Sequence, residues 1–373
     1  PLRSLAVGLA TYPRLQHAVS QGLAFAPTLK QRLAAALAPP PAADELVAAP
    51  AFVPPAETKA IAQGPVIVGS RYEGKRVAVL APTSSTQEKG GAERLFQGLA
   101  NALRHQGCVV DEIHKVVDES TFEGIQAGYQ AFEALDLGAY DMVISTKAPS
   151  YAARHPNHVL WLVHTVRVFY DMFDLTFPSA DEHVRAQRDW IVRADNEALG
   201  RIAQRFSIGN EVSRRLRLWN ELDASVLHPP MEEIGFFNQS DGGYFFIPGR
   251  LHRWKRLDLL IMAVTSSSLP LRLIIAGTGE AEHSLKALAG GDTRIEFAGR
   301  VSDEHLKELY ASCLAVPFLP VREDYGYVTL EAFASSKPVI TCSDSGEPAH
   351  FVEDGQTGFV CAPDIGSVRH ALE

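Results

Sequence analysis

A chain of 373 residues, 46% hydrophobic and 21% charged, has the composition of a folded soluble protein. It is too long for one ordinary core, so two domains with an extra segment are expected. Its net charge of -9 leaves no basic excess to neutralise nucleic-acid phosphates, which excludes general nucleic-acid binding but not a local basic pocket for a small phosphate ligand. Cys108, Cys313, Cys342 and Cys361 are scattered, with no CxxC and no Cys/His spacing. That pattern speaks against a structural zinc site or a disulfide scaffold and for a reducing compartment, here the cytoplasm. No apolar run reaches the roughly 18 residues of a membrane span, and no signal-peptide pattern stands at the start. The chain opens on Pro1 without a methionine, so it reads as a piece of something longer.

Residues 1–72 differ in texture from the rest. Leu29, Leu33 and Leu37 recur every fourth residue in TLKQRLAAALA, and a Pro/Ala-rich stretch, PPPAADELVAAPAFVPPAE, follows. Proline removes a backbone donor and restricts its predecessor, so this region reads as a tether or packing arm without chemistry. From Arg76 strands and helices alternate. RVAVLAP is a short apolar strand. GGAERLFQGLANALRHQG is a helix with Leu95, Phe96, Leu99 and Leu103 on one face and Gly107 as its stop. DMVIST and VLWLVHT are further buried strands, and RFSIGN followed by EVSRRLRLW reads as strand, Asn cap, helix. The Pro pair in ASVLHPPMEE marks a boundary, after which the alternation restarts with YFFIPGR and runs through PVITC. Two parallel α/β units are therefore expected, at 73–235 and 236–373, behind an N-terminal extension at 1–72. Each is a Rossmann-like, doubly wound domain, and ligands in such folds bind beyond the carboxyl ends of the strands, in the cleft.

Several polar groups fall at those strand exits. Arg250 and Lys255 in GRLHRWK straddle a strand end and a helix start, where cations and free N–H groups suit a diphosphate; the plain alternative is two solvated bases. Gly277 and Gly279 in AGTGEAE form a lone GxG, which lacks the GxGxxG fingerprint because Glu282 stands in its last position, and an ordinary strand-to-helix turn explains it. Gly90 and Gly91 in EKGGAERL would let a ligand approach backbone amides, or simply make a turn. His164 ends VLWLVHT and would face the cleft, unless it is only structural. In REDYGYVTLEAFASSKPVITCSDSGEP, Glu323 lies in a loop past a strand and Glu331 near a helix beginning. Carboxylates accept paired hydrogen bonds from vicinal sugar hydroxyls. Complementing the helix dipole would account for one of these glutamates but not for both acids together with the Arg/Lys pair.

These residues bear a family resemblance. EDYGYVTLEAFASSKPVITCSDSG resembles the E-x7-E segment of retaining glycosyltransferases of family 4, which have the two-domain GT-B fold. GGAERL, PGRLHRWKRLDLLIMA, LIIAGTGE and FAGRVSDEHLKELYASC stand in the same order, so the resemblance covers roughly residues 75–373. It implies that Arg250 and Lys255 hold the donor diphosphate and that Gly326, Tyr327 and Val328 cap the phosphates. Glu323 would face the donor sugar, Glu331 the ribose, and Arg300 and Val301 the base. Gly90 and Gly91 would lie beside the phosphates and the acceptor, and His164 would approach the donor sugar. Two departures stand out. Glu347 follows SDSG where the family often has glycine, and the chain stops at Glu373, short of the family's last helices.

The resemblance implies a metal-independent retaining hexosyltransferase that needs no cofactor. It would move a sugar from a GDP- or UDP-linked donor to a hydroxyl on a glycan or lipid-linked acceptor, with peripheral membrane association left open. No DxD-type metal motif sits at a strand end. A nucleotide-sugar epimerase is the rival enzyme. A phosphorylase would need a lysine-linked pyridoxal phosphate, for which no residue speaks. A non-catalytic nucleotide-sugar-binding module is the rival from another class.

Overall fold

The computed structural model describes residues 72–84, 91–231, 235–239, 242–268, 270 and 272–373. The expected tether at 1–72 lies, save for Tyr72, outside the described residues. Among the described residues twelve strands and, besides the four-residue helix Phe173–Thr176 and three short 3-10 turns, ten α-helices carry the fold. The first sheet is wholly parallel, in the order β2-β1-β3-β4-β5-β6. Its strands are β1 (Arg76–Ser84), β2 (Val109–Val117), β3 (Met142–Ser145), β4 (His158–Leu162), β5 (Gln204–Ser207) and β6 (Ser225–Val226). Its helices are α1 (Gly91–His105), α2 (Phe122–Glu133), α3 (Glu182–Gly200) and α4 (Asn210–Asn220). β1 is an interior strand and reads as an unbroken apolar run because both of its faces are covered: Val77, Ala78, Val79, Leu80 and Ala81 are all buried.

The second half repeats the design. β7 (Tyr244–Pro248), β8 (Arg272–Ala276) and β9 (Ile295–Gly299) form one parallel sheet, and β10 (Val316–Pro317), β11 (Val339–Cys342) and β12 (Gly358–Cys361) form another. A parallel bridge from Phe245 to Ala315 joins them, so the strands run 9-8-7-10-11-12. This order reverses between β7 and β10, the place where open parallel sheets leave a crevice for ligands. The helices are α5 (Leu257–Thr265), α6 (Glu282–Ala289), α7 (Asp303–Ser312), α8 (Tyr327–Ala334), α9 (Glu347–Phe351) and α10 (Ile365–Leu372). Each sheet has its own apolar core, one around Leu80, Phe132, Leu160 and Ile191, the other around Phe246, Ile261, Tyr310 and Val339.

Several elements go unread in the sequence, α2, α9, β12 and α10 among them, and three others escape its periodicity for identifiable reasons. β2 is an edge strand, VVDEIHKVV, whose acids and bases face solvent and blur its alternation. α3 is rich in charge and polar residues, with only Ile191, Asp195, Ala198 and Leu199 fully buried. β6 is two residues long and falls inside the expected boundary, so that stretch opens with a strand and not with a break.

The helix starts show how the two halves are held together. Thr121, Asp181, Ser302 and Asp364 cap α2, α3, α7 and α10 with their own side chains. α4 has no such cap. Asn210, expected to be the cap, is its first helical residue, and the capping position is Gly209, which has no side chain to offer. The missing acceptor comes from the other half of the chain. Glu347, 0% exposed, accepts from the Glu211 backbone N–H (3.0 Å), from Asn210 Nδ2 (3.0 Å) and from His228 Nε2 (2.9 Å). The approach is so close that a Cβ on Gly209 would lie 2.7 Å from the Glu347 carboxyl. Glu347, which departs from the family pattern, thus serves as a cap in trans.

Replacing Glu347 with Ala should lower folding stability by roughly 2–3 kcal/mol, because it strands a buried N–H and two side-chain donors. Denaturant unfolding would show this as a lower midpoint at unchanged slope. A midpoint within error of wild type would mean that the contact between the halves carries no stability.

Candidate active site

The C-terminal edges of the two sheets face each other across a cavity of about 470 Å³. The second half supplies Glu323 to Gly326, at the end of the loop that begins at Pro320, and the start of α8; the first supplies Val163 and His164 after β4 and Ile208 after β5. Backbone pairing sets the loop. Val321 N donates to Trp254 O (2.8 Å), Arg322 N to Asp344 O (2.9 Å) and Glu323 N to Ser345 O (2.8 Å), while Glu347 N donates back to Glu323 O (3.0 Å). Arg256 braces it from behind, giving hydrogen bonds to Leu319 O (2.7 Å) and Pro320 O (2.8 Å) and forking onto Asp344 (2.6 and 2.9 Å). Sequence reading stopped one residue short, at Lys255. The Arg256 fork depends on tertiary partners 63 to 88 residues away, so no local spacing marks it.

The loop is also tied to the first half. Arg215, 1% exposed, donates through Nη2 to Asp171 Oδ2 (3.2 Å) and sits 2.9 Å from the other Asp171 oxygen and 2.7 Å from Asp324, within charge-pairing distance of both. Arg167 donates to Asp171 (2.9 Å) and to the Arg322 carbonyl (2.8 Å), and lies 3.7 Å from Asp324. Arg322 returns a hydrogen bond to Asp171 O (3.0 Å), and Tyr325 donates to Pro229 O (2.7 Å). Burial alone would raise the Asp324 carboxyl, but Arg167 and Arg215 outweigh it and hold the pKa below the usual value. For Arg167, likewise, Asp324 and Asp171 overcome the effect of burial and keep it firmly charged.

Of the residues singled out in the sequence, Lys255, Glu323, Gly326, Tyr327, Val328, Glu331 and His164 all line this cavity. Lys255 Nζ contacts both oxygens of Glu323, at 2.8 and 2.7 Å, above the Phe318 ring. Gly326 has φ +82°, and a Cβ there would lie 2.7 Å from Pro348 and 3.1 Å from the Phe318 ring. Only glycine lets α8 begin at this point, so the positive end of the helix reaches the cavity. Glu331 is the fifth residue of α8, deeper than its expected place at the helix beginning, and accepts from Tyr310 OH (2.8 Å).

Other expected residues lie apart. Arg250 is exposed, points to Glu280 (3.7 Å) and lines only a small hollow beside Lys255. Arg300 is exposed and Val301 packs on the second core; neither lines the cavity, whereas Leu306 does. Gly91 is the first residue of α1, and Gly90 lies outside the described residues. Gly277 packs against the Gly249 backbone, so the lone GxG serves contact between two strand-end turns. An apolar hollow of about 240 Å³ opens beside the cavity, between Leu95 and Leu99 of α1, Trp161, the Pro229–Pro230 segment and Tyr327. Among the described residues no helix is long and apolar enough to cross a membrane, and no metal-ligating cluster occurs.

His164 is the polar group that the first half contributes opposite Lys255. Its Nδ1 is 3.0 Å from Thr165 O, and a carbonyl can only accept, so Nδ1 carries the hydrogen and Nε2 keeps a lone pair. Burial, and after it the Lys147 charge, push its pKa below 6.5. A histidine whose folded pKa is depressed binds its proton more readily when unfolded, so its contribution is present above pH 6.5 and is lost as the pH falls below that value. NMR of the imidazole nitrogens should therefore show His164 neutral, in the Nδ1–H form, at pH 6.5. An imidazolium at that pH would contradict this environment.

Residues 233–372 match the family model of glycosyl transferases group 1. The chain is 30% identical over 83 residues to alpha-1,3/1,6-mannosyltransferase ALG2 of Dictyostelium discoideum, covering 22% of this chain and 20% of that protein. It is 27% identical over 137 residues to O-antigen chain mannosyltransferase C of Escherichia coli, covering 36% and 37%. These matches thus span about a fifth to just over a third of the curated relatives' own length. Among solved structures, sucrose-phosphate synthase from Thermosynechococcus elongatus superposes with a TM-score of 0.62 at 17% identity, over 80% of this chain and 88% of that one. WaaG, a glycosyltransferase involved in lipopolysaccharide biosynthesis, superposes with a TM-score of 0.58 at 17% identity, over 79% and 89%. Likeness at this identity shows the fold, which is the GT-B arrangement of two Rossmann-like domains around a cleft.

Proposed function

We propose that this chain, whose residues 233–372 match the family model of glycosyl transferases group 1, is a retaining glycosyltransferase that uses a nucleotide-sugar donor. One observation carries the reading. A cation, a carboxylate, a helix start and a neutral histidine, drawn from both halves of the chain, line one cavity at the carboxyl edges of two parallel sheets. The mannosyltransferase relatives favour mannose as the sugar, on a GDP- or UDP-linked donor, and a cytoplasmic nucleotide-sugar pool would supply it.

In this reading the donor diphosphate lies against the first turn of α8, and Lys255 meets its charge. The ammonium has three hydrogens. Glu323 engages it through two contacts, which leaves one hydrogen for a phosphate oxygen. As the bond between sugar and phosphate breaks, negative charge grows on the leaving diphosphate. A preorganised ammonium and helix dipole stabilise that charge without further reorganisation. No cofactor enters the scheme, and Lys255 with the helix start takes the part a divalent metal would otherwise have. Glu323, held by Lys255, faces the sugar as a hydrogen-bond acceptor and is not assigned as a covalent nucleophile. The acceptor hydroxyl attacks on the leaving-group side, and the departing phosphate takes its proton. Neutral His164 accepts a sugar hydroxyl through Nε2. Glu331 is assigned to the ribose. Walls from two domains exclude water, which limits hydrolysis of the donor. The apolar hollow next to the cavity has room for the lipid part of a lipid-linked acceptor, and a glycan hydroxyl is the more general acceptor.

Calorimetry with UDP, GDP, uridine and guanosine tests the donor site. Lys255→Ala should weaken one nucleoside diphosphate by about tenfold or more while changing its nucleoside less than about twofold; equal losses would remove the phosphate role. In a transfer and hydrolysis assay on UDP-, GDP- and ADP-sugars, Glu323→Gln should lower kcat by about 100-fold or more. If no donor is bound or turned over and Glu323→Gln changes nothing, the enzyme reading fails and a binding module remains.

A further inference from the structure

The floor of the first sheet carries a charge that the donor scheme leaves unused. Lys147 follows β3, next to His164 at the end of β4. The Ala148 N–H donates to His164 O (3.1 Å), and the Val163 N–H donates to Thr146 O (2.8 Å), so the two strand ends run side by side. Lys147 is 6% exposed, yet its ammonium makes no hydrogen bond among the described residues. The nearest carboxylate is Glu119, at 3.8 Å and 43% exposed, in the turn after β2. That distance exceeds hydrogen-bonding range, and a half-solvated partner gives little back. His164, close enough to feel the lysine, is neutral.

Withdrawing an ammonium from water is costly unless an anion replaces the lost hydration. Among the described residues Arg215 has Asp171 and Asp324, Arg256 has Asp344 and Lys255 has Glu323, while the other buried lysine, Lys337, donates to the Gln239 carbonyl (3.2 Å). Lys147 has neither a hydrogen-bonded carboxylate nor a carbonyl, only Glu119 at 3.8 Å, and it stands on the same sheet edge as a residue that lines the cavity. The donor diphosphate is met from the other wall, by Lys255 and α8. An anion reaching Lys147 would therefore belong to the second substrate.

We propose, resting on the glycosyltransferase reading above, that Lys147 forms an anion subsite for the acceptor, which carries a phosphate or a carboxylate close to the hydroxyl that is glycosylated. Glu119 is its resting counterion and gives way when the acceptor enters. Lys147 thereby selects among acceptors and takes no part in cleaving the donor bond.

The full chain, first with UDP or GDP and then without nucleotide, is titrated calorimetrically with mannose 6-phosphate, glucuronate and mannose. One charged sugar should bind more tightly than mannose, and which one identifies the source of the anion. Lys147→Gln should weaken that charged sugar by about tenfold and leave the nucleoside diphosphate within about twofold. Glu119→Gln removes the competing carboxylate and should strengthen the charged sugar by about two- to fivefold. This second variant decides the matter if Lys147→Gln fails to fold, as its unfolding curve would show. The proposal is overturned if mannose binds as well as both charged sugars, if Glu119→Gln leaves the charged sugar unchanged, or if Lys147→Gln weakens the nucleoside diphosphate as much as Lys255→Ala does. Absence of nucleotide binding to the wild-type chain would count against the glycosyltransferase reading and not against the subsite, because the nucleotide-free titrations still report on the latter.

Discussion

A carboxylate from one half of the chain completes a helix of the other, and the cavity depends on that exchange. α4 begins at a glycine and cannot satisfy its own first N–H groups. Glu347, the first residue of α9, does so from across the boundary, and it and Ser345 in the turn before it pair with the backbone of Glu323. One structural unit therefore fixes two things: how the halves meet, and where the loop bearing Glu323 stands. Asp324, one residue further on, repeats the connection through Arg215 and Arg167. Buried charges are tolerated here because each finds its opposite, and removing any one leaves another uncompensated.

This arrangement also explains why charge on the cavity wall is distributed as it is. Asp324 is neutralised by arginines of the first half, so it adds little net negative charge where a diphosphate would sit. Glu323 is balanced by Lys255. The start of α8 contributes positive potential, admitted to that position by the positive φ of Gly326. His164, opposite, is kept neutral by burial and by Lys147. The wall of the second half thus presents a cation and a helix dipole, while the first half holds an ammonium whose counterion is 3.8 Å away. Under the proposed function, two anionic groups, one on each substrate, would fit that division.

How much of this was legible in the sequence depended on the range of the interactions. β1, β4, β7 and β8 are apolar runs because both faces of each strand are covered, and that property is written into consecutive residues. The residues between Lys255 and Glu331 that line the cavity follow from a local rule, that functional groups in parallel sheets sit just past strand ends. Arg250 and Arg300 satisfy the same rule yet point outward, because the rule locates a residue and not its rotamer. β2 and α3 were missed because their solvent faces carry the charges that periodicity uses as its signal.

By itself, then, the sequence determined the two α/β units, the cleft between them and the short segment that carries Glu323, Gly326 and Glu331, since each rests on hydrophobic period or on a turn within a few residues. Tertiary structure alone decided the role of Glu347, the Arg256 fork, the Arg167–Asp171–Arg215–Asp324 network and the isolation of Lys147. Those depend on which charges meet across tens to more than a hundred residues of chain, and a charge carries no mark in the sequence of the partner it will find.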